Sequence, residues 1–375
     1  MKKNIAIIGA GAIGRGYLPI VLDNNKYNFF FIDQNPKILG LLKKKKYYFT
    51  YIIKNNSYIK KKILIKSALH ISQLAHLKLK NLSLCFVCIG PRNIKDIIFF
   101  LKKINTPIIV CENDPETVNE IEKAIKNKKV FFAVPDVITS NTSPKKLLKK
   151  DKLSIVSEKG ELFVEKGPKI FGQIKFLSKK DLLKIQWTAK LYLHNTPHCI
   201  AAYLGSIINV KYIHEAMQNE FIKKIVEGSM NEMLKSLKLN WDISHDFLEW
   251  YAQKEINRFK NTLLFDPISR VAREPLRKLE INGRLIGAAQ LCLYNGVFPN
   301  NILKGIVSAF MFENHKDTDN HIELLQSSMS PEQFNKYILG LRAGEPLDLL
   351  LKDKLNQIRK ELILLKKFKI NEKYL

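Results

Sequence analysis

The hydrophobic rhythm of the chain changes about halfway along. Up to about residue 180, short apolar runs alternate with amphipathic or polar stretches. The runs at 4–8, 28–32, 63–66, 83–89, 107–111 and 130–134 have the length of strands, and helices are expected to begin near 14, 36, 93 and 116. This strand–helix succession predicts a parallel sheet. Turn signals follow at TSNTSP and KGPK, and SIVSEKGELFVE alternates enough for one or two further strands. From about 181 the pattern becomes long helical periodicity. DLLKIQWTAKLYLH, YIHEAMQNEFIKKIVEGSMNEMLKSL and SHDFLEWYAQKEINRF all suit amphipathic helices. The expected organisation is therefore an α/β domain over 1–180 and a mostly α-helical domain over 181–375. Thr196 before Pro197 reads as an N-cap followed by proline at the first helical position. The basic C-terminal stretch LNQIRKELILLKKFKINEKYL reads as a packed last helix. Without an apolar seam or heptad repeat, a monomer is expected.

Composition narrows the functional classes. With 46% hydrophobic and 10% aromatic residues, the 375-residue chain is a folded globular protein. Neither a signal peptide nor an uncharged apolar stretch of membrane-spanning length is recognisable, so a cytoplasmic protein is expected. The formal net charge of +27 invites a nucleic-acid reading. However, the basic residues are 53 lysines and 9 arginines, with lysine dispersed along the chain. Runs such as Lys43–Lys46 and Lys60–Lys62 read as solvated surface, so no specific nucleic-acid partner is expected. Cys85, Cys88, Cys111, Cys199 and Cys292 form an odd set without a disulfide framework. Cys85 and Cys88 make a C-x-x-C, but within a continuous apolar run and with no second ligand pair. They read as core thiols, and no metal is expected.

Two motifs carry chemistry. Residues 5–16 read IAIIGAGAIGRG, placing Gly9, Gly11 and Gly14 in a G-x-G-x-x-G directly after a predicted strand. Gly9 allows the tight turn, Gly11 a close backbone approach to a pyrophosphate, and Gly14 close helix–strand packing. The run FFFI ends in Asp33, whose carboxylate accepts from ribose hydroxyls and repels a 2′-phosphate, so NAD is the expected cofactor. The other motif is KLYLHNTPH, with Lys190, Asn195 and His198 spaced K-x4-N-x2-H. A neutral lysine amine takes a proton from an alcohol, an amide holds the oxygen as it becomes a carbonyl, and a histidine orients a hydroxyl. On an α-helix these offsets fall within an arc of roughly 140°. The bland alternative is a lysine, a cap and a surface histidine. As a base, Lys190 must start deprotonated, so burial or neighbouring cations are expected around it.

Arginine is used selectively. Five of the nine lie between 258 and 284, namely Arg258, Arg270, Arg273, Arg277 and Arg284. Guanidinium forks suit a substrate phosphate or carboxylate. The alternative is internal pairing with Asp266, Glu274 and Glu280. If the substrate is phosphorylated, Arg258, Arg273 or Arg277, helped by Lys278, is expected to contact it. GPRN at 90–93 and CEND at 111–114 also stand out at predicted strand ends, where ligands bind in doubly wound sheets.

Taken in order, GAGAIGRG, Asp33, CEN at 111–113, K-x4-N-x2-H and NRF…RVAREPLRKL resemble the polyol-specific long-chain dehydrogenases of the mannitol dehydrogenase family. The similarity runs from residue 5 to about 312, and is especially close in KLYLHNTPHCIAAYLG and PLRKL…RLI. It implies an N-terminal Rossmann domain, a helical C-terminal domain, and an active site between them. It also implies metal-independent hydride transfer between NAD and a sugar alcohol or its phosphate. Lys190 matches the family's base, Asn113 and Asn195 its oxyanion-holding amides, and His198 its substrate-orienting histidine. Asp136 in VPDVITS matches an aspartate expected to bind a sugar hydroxyl. The chain departs from the pattern at Val137 (usually arginine), Pro197 (commonly glycine) and His194 (commonly apolar). The segment between Asn113 and Asp136 is also short. Outside this class stand a catalytically silent nucleotide binder and a polyanion-binding protein. Lys190, Asn195 and His198 speak against the first, and dispersed lysine against the second.

Overall fold

The computed structural model describes residues 2–76, 82–90, 93–112, 114–126, 129–141, 144–312 and 322–371. Two compact units are present: Met1–Trp187 with Leu263–Phe265, and Thr188–Thr262 with Asp266–Leu375.

The first unit is built on strands numbered in chain order. They are β1 (Lys3–Ile8), β2 (Tyr27–Asp33), β3 (Tyr47–Lys54), β4 (Ser57–Leu64), β5 (Ser67–His70), β6 (Leu82–Val87), β7 (Ile108–Val110), β8 (Val130–Asp136), β9 (Thr139–Ser140), β10 (Ile155–Ser157), β11 (Glu161–Glu165) and β12 (Ile174–Leu177). The main sheet runs β12-β11-β8-β7-β6-β1-β2-β5. From β5 to β8 every pairing is parallel, and β11 adds to β8 antiparallel. The chain reverses direction of travel across the sheet between β1 and β6, which is the topological switch point where doubly wound sheets bind ligands.

β1 shows why these runs are apolar throughout. Ile5, Ala6, Ile7 and Ile8 are all fully buried. Alternate side chains point to opposite faces. Ile5 and Ile7 join a core with Phe29, Phe31 and Tyr48, while Ala6 and Ile8 join another with Ile32, Cys85 and Val87. A parallel sheet covered on both faces therefore leaves no polar position in β1.

The run at 63–66 does not form a strand of the parallel succession. Ile63 and Leu64 end β4, which pairs antiparallel with β3 in a separate sheet of order β4-β3-β10-β9, and the parallel edge strand is β5. A two-residue turn makes this hairpin. Asn55 and Asn56 hold φ of 47° and 53°, the left-handed pair that matches the twist of its strands. Lys60 and Lys62 are exposed and lie over the rings of Phe49 and Tyr47 at 3.7 and 4.0 Å. SIVSEKGELFVE supplies two strands, β10 and β11.

The second unit is helical among its described residues. Its centre is the helix Thr196–Ile207, nearly all of it buried, packed against the helices Glu220–Asn240 and Asn300–Phe310. A Cβ on Gly305 would come within 2.4 Å of Ile200, so that glycine sets the close approach of two helices. The stretch read as one helix over 212–237 is divided, because Asn219 caps a new helix by accepting from the N–H groups of Phe221 and Ile222. The last helix, Pro346–Asn371, buries Leu351, Ile358 and Leu362. Among the described residues no helix is long and apolar enough to cross a membrane.

Thr196 is not an N-cap. It has helical φ and ψ of −65° and −61°, and a π-wound segment, Lys190–Asn195, runs directly into it. Proline inside an α-helix removes one hydrogen bond and drives its ring into the carbonyl four residues back. The wider π turn preceding Pro197 avoids that conflict without ending the helix.

The hairpin turn gives a simple test. Asn56→Val places a β-branched residue in left-handed geometry and should lower unfolding stability by about 1–2 kcal/mol. Asn56→Gly should cost nothing, with urea denaturation as the measurement.

Candidate active site

In the first unit the turn after β1 is dictated by its glycines. Gly9 has φ +97°, and a Cβ there would lie 2.3 Å from the Cys88 carbonyl oxygen. A Cβ on Gly14 would lie 2.0 Å from the Gly9 oxygen. Gly11 is different, because a Cβ there would have no neighbour within 4 Å. Two glycines are thus required by packing, whereas the third keeps a bare backbone facing open space. Arg15, 2% exposed, braces the loop from behind, its Nε donating to the Ala10 oxygen at 3.0 Å. Asp33 ends β2 and accepts from the Ala10 N–H at 2.7 Å and the Asn35 N–H at 2.8 Å. Each carboxylate oxygen accepts more than one hydrogen bond, so Asp33 is still able to receive ribose hydroxyls. An open backbone at Gly11 beside a partly exposed Asp33 fits a dinucleotide.

Asp136 ends β8 and is 3% exposed, opposite Glu161 in the neighbouring strand. Asn113, and Pro91 and Arg92 of GPRN, lie outside the described residues. Cys85 is buried in β6, where burial pushes its thiol well above the ordinary range. Among the described residues no cluster of His, Cys, Asp or Glu is arranged to hold a metal.

In the second unit the winding of one helix brings three residues together. Lys190 opens the π segment and Asn195 closes it. A π-helix repeats at i→i+5, the spacing of this pair. The α-helix then resumes, and His198 follows Asn195 at i+3, again a same-face neighbour. K-x4-N-x2-H is therefore one π step followed by one α step. The three residues are 5–6% exposed. The Asn195 carboxamide has no hydrogen-bond partner among the described residues, which leaves its donors for a ligand oxygen.

His198 is held from two sides. Its ring stacks on Phe259 at 5.0 Å and 4°. Its Nε2 lies 3.0 Å from Asp266 Oδ2, a close polar contact not aligned as a hydrogen bond. Arg270 donates to the other oxygen of Asp266 through Nε at 3.0 Å and Nη2 at 2.5 Å. Burial alone would raise the Asp266 pKa, but Arg270 and His198 outweigh it and hold the carboxyl well below its usual range. With Nε2 turned toward Asp266, the neutral tautomer that carries its proton on Nε2 has Nδ1 as the nitrogen that accepts from a hydroxyl.

His194 makes a second buried set. Its Nδ1 lies 2.5 Å from Oε2 of Glu255, which is fully buried and accepts from Arg258 Nη1 at 2.5 Å through its other oxygen. The His194 and His198 rings are 4.8 Å apart. The polar residue at 194 thus carries its own counter-charge.

The arginine cluster is mostly paired internally. Arg258 is committed to Glu255 and Arg277 to Glu274 at 2.9 Å, while Arg273 is exposed and donates to the Arg270 oxygen at 3.3 Å. Lys278 is 3% exposed and donates to the Arg273 oxygen. Burial, then Arg284 and Arg277, push its pKa down to about 7. Sequence reasoning missed Glu255 and Phe259 and read Asp266 only as an internal partner. Glu255 precedes Arg258 by three residues and Asp266 precedes Arg270 by four, which are same-face helical spacings.

An α/β unit whose glycine loop fits a dinucleotide, followed by a helical unit with a buried Lys–Asn–His set, fits the class of dehydrogenases. The sequence model of the mannitol dehydrogenase C-terminal domain matches residues 185–353. A mannitol-1-phosphate 5-dehydrogenase of Thermoanaerobacter pseudethanolicus is 33% identical over 336 residues, 82% of this chain and 86% of that one. One from Clostridium acetobutylicum is 31% identical, with 94% of this chain and 98% of that one covered. The chain belongs to the mannitol dehydrogenase family. Its fold is shared by Pseudomonas fluorescens mannitol 2-dehydrogenase, solved with NAD and D-mannitol, at TM-score 0.78 and 14% identity over 99% of this chain and 94% of that one.

The loop geometry predicts a split between stability and binding. Gly14→Ala should destabilise the fold by about 1–3 kcal/mol, since backbone must move. Gly11→Ala should leave the melting temperature unchanged and weaken NADH binding in a fluorescence titration.

Lys278 predicts a pH effect. Below about pH 7 the folded and unfolded chains both hold its proton, and the folded chain bears the cost of a buried cation. From there up to the ordinary lysine value of roughly 10.4, only the unfolded chain holds it, so stability rises with pH through that window. Urea midpoints at pH 6.5 and 9 should show this rise, and Lys278→Met should remove its contribution.

Proposed function

We propose that the chain is a NAD-dependent, metal-independent dehydrogenase interconverting mannitol 1-phosphate and fructose 6-phosphate. The observation that carries this reading is the burial of Lys190, Asn195 and His198 on one face of a continuous helix, with His198 anchored by Asp266. The activity in the names of the similar enzymes supports the substrate, and the resemblance supports the role of each residue.

When bound, NAD supplies the acceptor for the hydride of the alcohol carbon. The protein moves the proton. In the oxidation direction Lys190 Nζ, as a neutral amine, takes it from the hydroxyl as the C–H bond breaks, and returns it in the reverse direction. Asn195, with Asn113 as the second amide, donates hydrogen bonds to the oxygen as negative charge develops. Amides suit this role because they stabilise the charge without adding one of their own. His198 accepts from a neighbouring substrate hydroxyl through Nδ1 and fixes which carbon faces the base. Asp136 accepts from a further hydroxyl. Arg273, Arg277 and Lys278 contribute positive potential toward a phosphorylated end, while Arg258 acts through Glu255 and His194.

The defining experiment follows NADH absorbance with fructose 6-phosphate, fructose and a hexuronate. Activity should be highest with fructose 6-phosphate, and a preference for either other substrate would refute the assignment. Lys190→Ala should lower kcat by about 10²–10⁴-fold and leave NADH affinity intact. Near wild-type turnover would make Lys190 structural. NADH should be used more efficiently than NADPH, and Asp33→Ala should narrow that preference.

A further inference from the structure

Three of the arginines near the catalytic helix have carboxylate partners: Arg258 with Glu255, Arg270 with Asp266 and Arg277 with Glu274. Arg284 has none. Among the described residues its guanidinium forms neither an ion pair nor a hydrogen bond. Its backbone is held in place, because Thr196 Oγ1 donates to the Arg284 carbonyl oxygen at 2.6 Å. Thr196 follows Asn195 directly, so Arg284 is anchored beside the proposed oxyanion donor.

A second unmet group lies in the same neighbourhood. Tyr203 is fully buried, and its hydroxyl has no hydrogen-bond partner. A buried hydroxyl without a partner costs about 1–3 kcal/mol. Lys278 Nζ lies 5.6 Å above the Tyr203 ring. Cys199, one helical turn before Tyr203, is close enough to Arg284 and Lys278 for both to lower its thiol pKa, although burial still raises it to about 11. Helix Thr196–Ile207 and the segment 275–284 thus bring an unpaired guanidinium, an unmet phenol and a buried amine to one place. Glu274, the carboxylate among them, is already bound to Arg277.

We infer that Arg284, Tyr203 and Lys278 form the subsite for the phosphate of the substrate, with Arg284 and Tyr203 as the residues that distinguish a phosphorylated from a neutral polyol. This rests on the sugar-phosphate reading above. A phosphate monoester carries close to two negative charges and three terminal oxygens, matching two cations and a neutral donor. It would satisfy the hydroxyl, pair with Arg284 and let Lys278 hold its proton, all unmet without an anion. A hydroxymethyl group in that position would leave Arg284 unpaired.

The test uses Tyr203→Phe and Arg284→Gln, with saturating NADH so that the glycine loop is occupied. Thermal protection by inorganic phosphate probes the subsite without turnover, and KM values for fructose 6-phosphate and fructose probe it during turnover. Wild-type protein should be protected by phosphate, and both variants should lose that protection. KM for fructose 6-phosphate should rise about tenfold or more, the loss expected for a hydrogen bond to a charged group. KM for fructose and kcat should change less than threefold. Tyr203→Phe should melt no lower than wild type without ligand, because the hydroxyl removed has no partner. This keeps the test decisive if Arg284→Gln does not fold. Protection retained in a folded variant, its absence in the wild type, or an equal rise in KM for both sugars would overturn the subsite. Phosphate protection lost in the variants, but with no turnover of fructose 6-phosphate by wild type, would leave the anion subsite standing and remove the substrate assignment.

Discussion

Asp266 is charged, almost completely buried, and set between His198 and Arg270. Much of the helical unit around His198 depends on keeping it that way. A carboxylate removed from water is unfavourable unless cations and hydrogen bonds replace its hydration. Arg270 replaces part of it with a fork of two donors, and His198 faces the remaining oxygen. The stack on Phe259 then leaves the imidazole little freedom to turn. In the proposed mechanism a histidine orients a sugar hydroxyl only if its own orientation is fixed, so there the Arg270–Asp266 ion pair and the ring stack would serve substrate selection as well as folding. The set of Arg258, Glu255 and His194 repeats the arrangement one helical turn earlier, and fills with charge a position the resemblance led us to expect apolar.

The two units use different means to present reactive groups. In the α/β unit, backbone does most of the work. Gly9 and Gly14 fold the loop back on itself and Gly11 leaves it uncovered, so the loop offers bare backbone beside one carboxylate, as the proposed cofactor site requires. In the helical unit, side chains do the work, and each polar group there needs an identifiable counterpart. Among the described residues Arg284 and Tyr203, like the Asn195 carboxamide, lack one.

Much of this was legible in the sequence, for physical reasons. Buried parallel strands have no polar face, so β1, β2, β6 and β8 announce themselves as apolar runs. The glycine loop is legible because few other residues fit its geometry. The strand expected at 63–66 was misread because a hairpin with a solvated lysine face has neither continuous apolar character nor a glycine at its turn. Thr196 was misread as a cap because Thr-Pro is a real initiation signal, and nothing local reveals that the preceding turn is π-wound. The arginine cluster was legible as a cluster, but pairing is a property of three-dimensional neighbours. Arg258 and Arg277 look as available as Arg284 until Glu255 and Glu274 are seen beside them.

The π winding over Lys190–Asn195 also acts as a phase element. It accommodates one more residue in its turn than an α-helix would, so residues after it are rotated relative to those before. Rewinding the segment as α-helix without shortening it would rotate His198, Cys199 and Tyr203 by about 100° around the axis relative to the residues before it. Everything that they face would then be presented to a different wall of the protein. Substitutions that favour α over π winding in this stretch would therefore behave as rotations of the face that carries His198, and a one-residue deletion that accompanied the rewinding would undo the rotation.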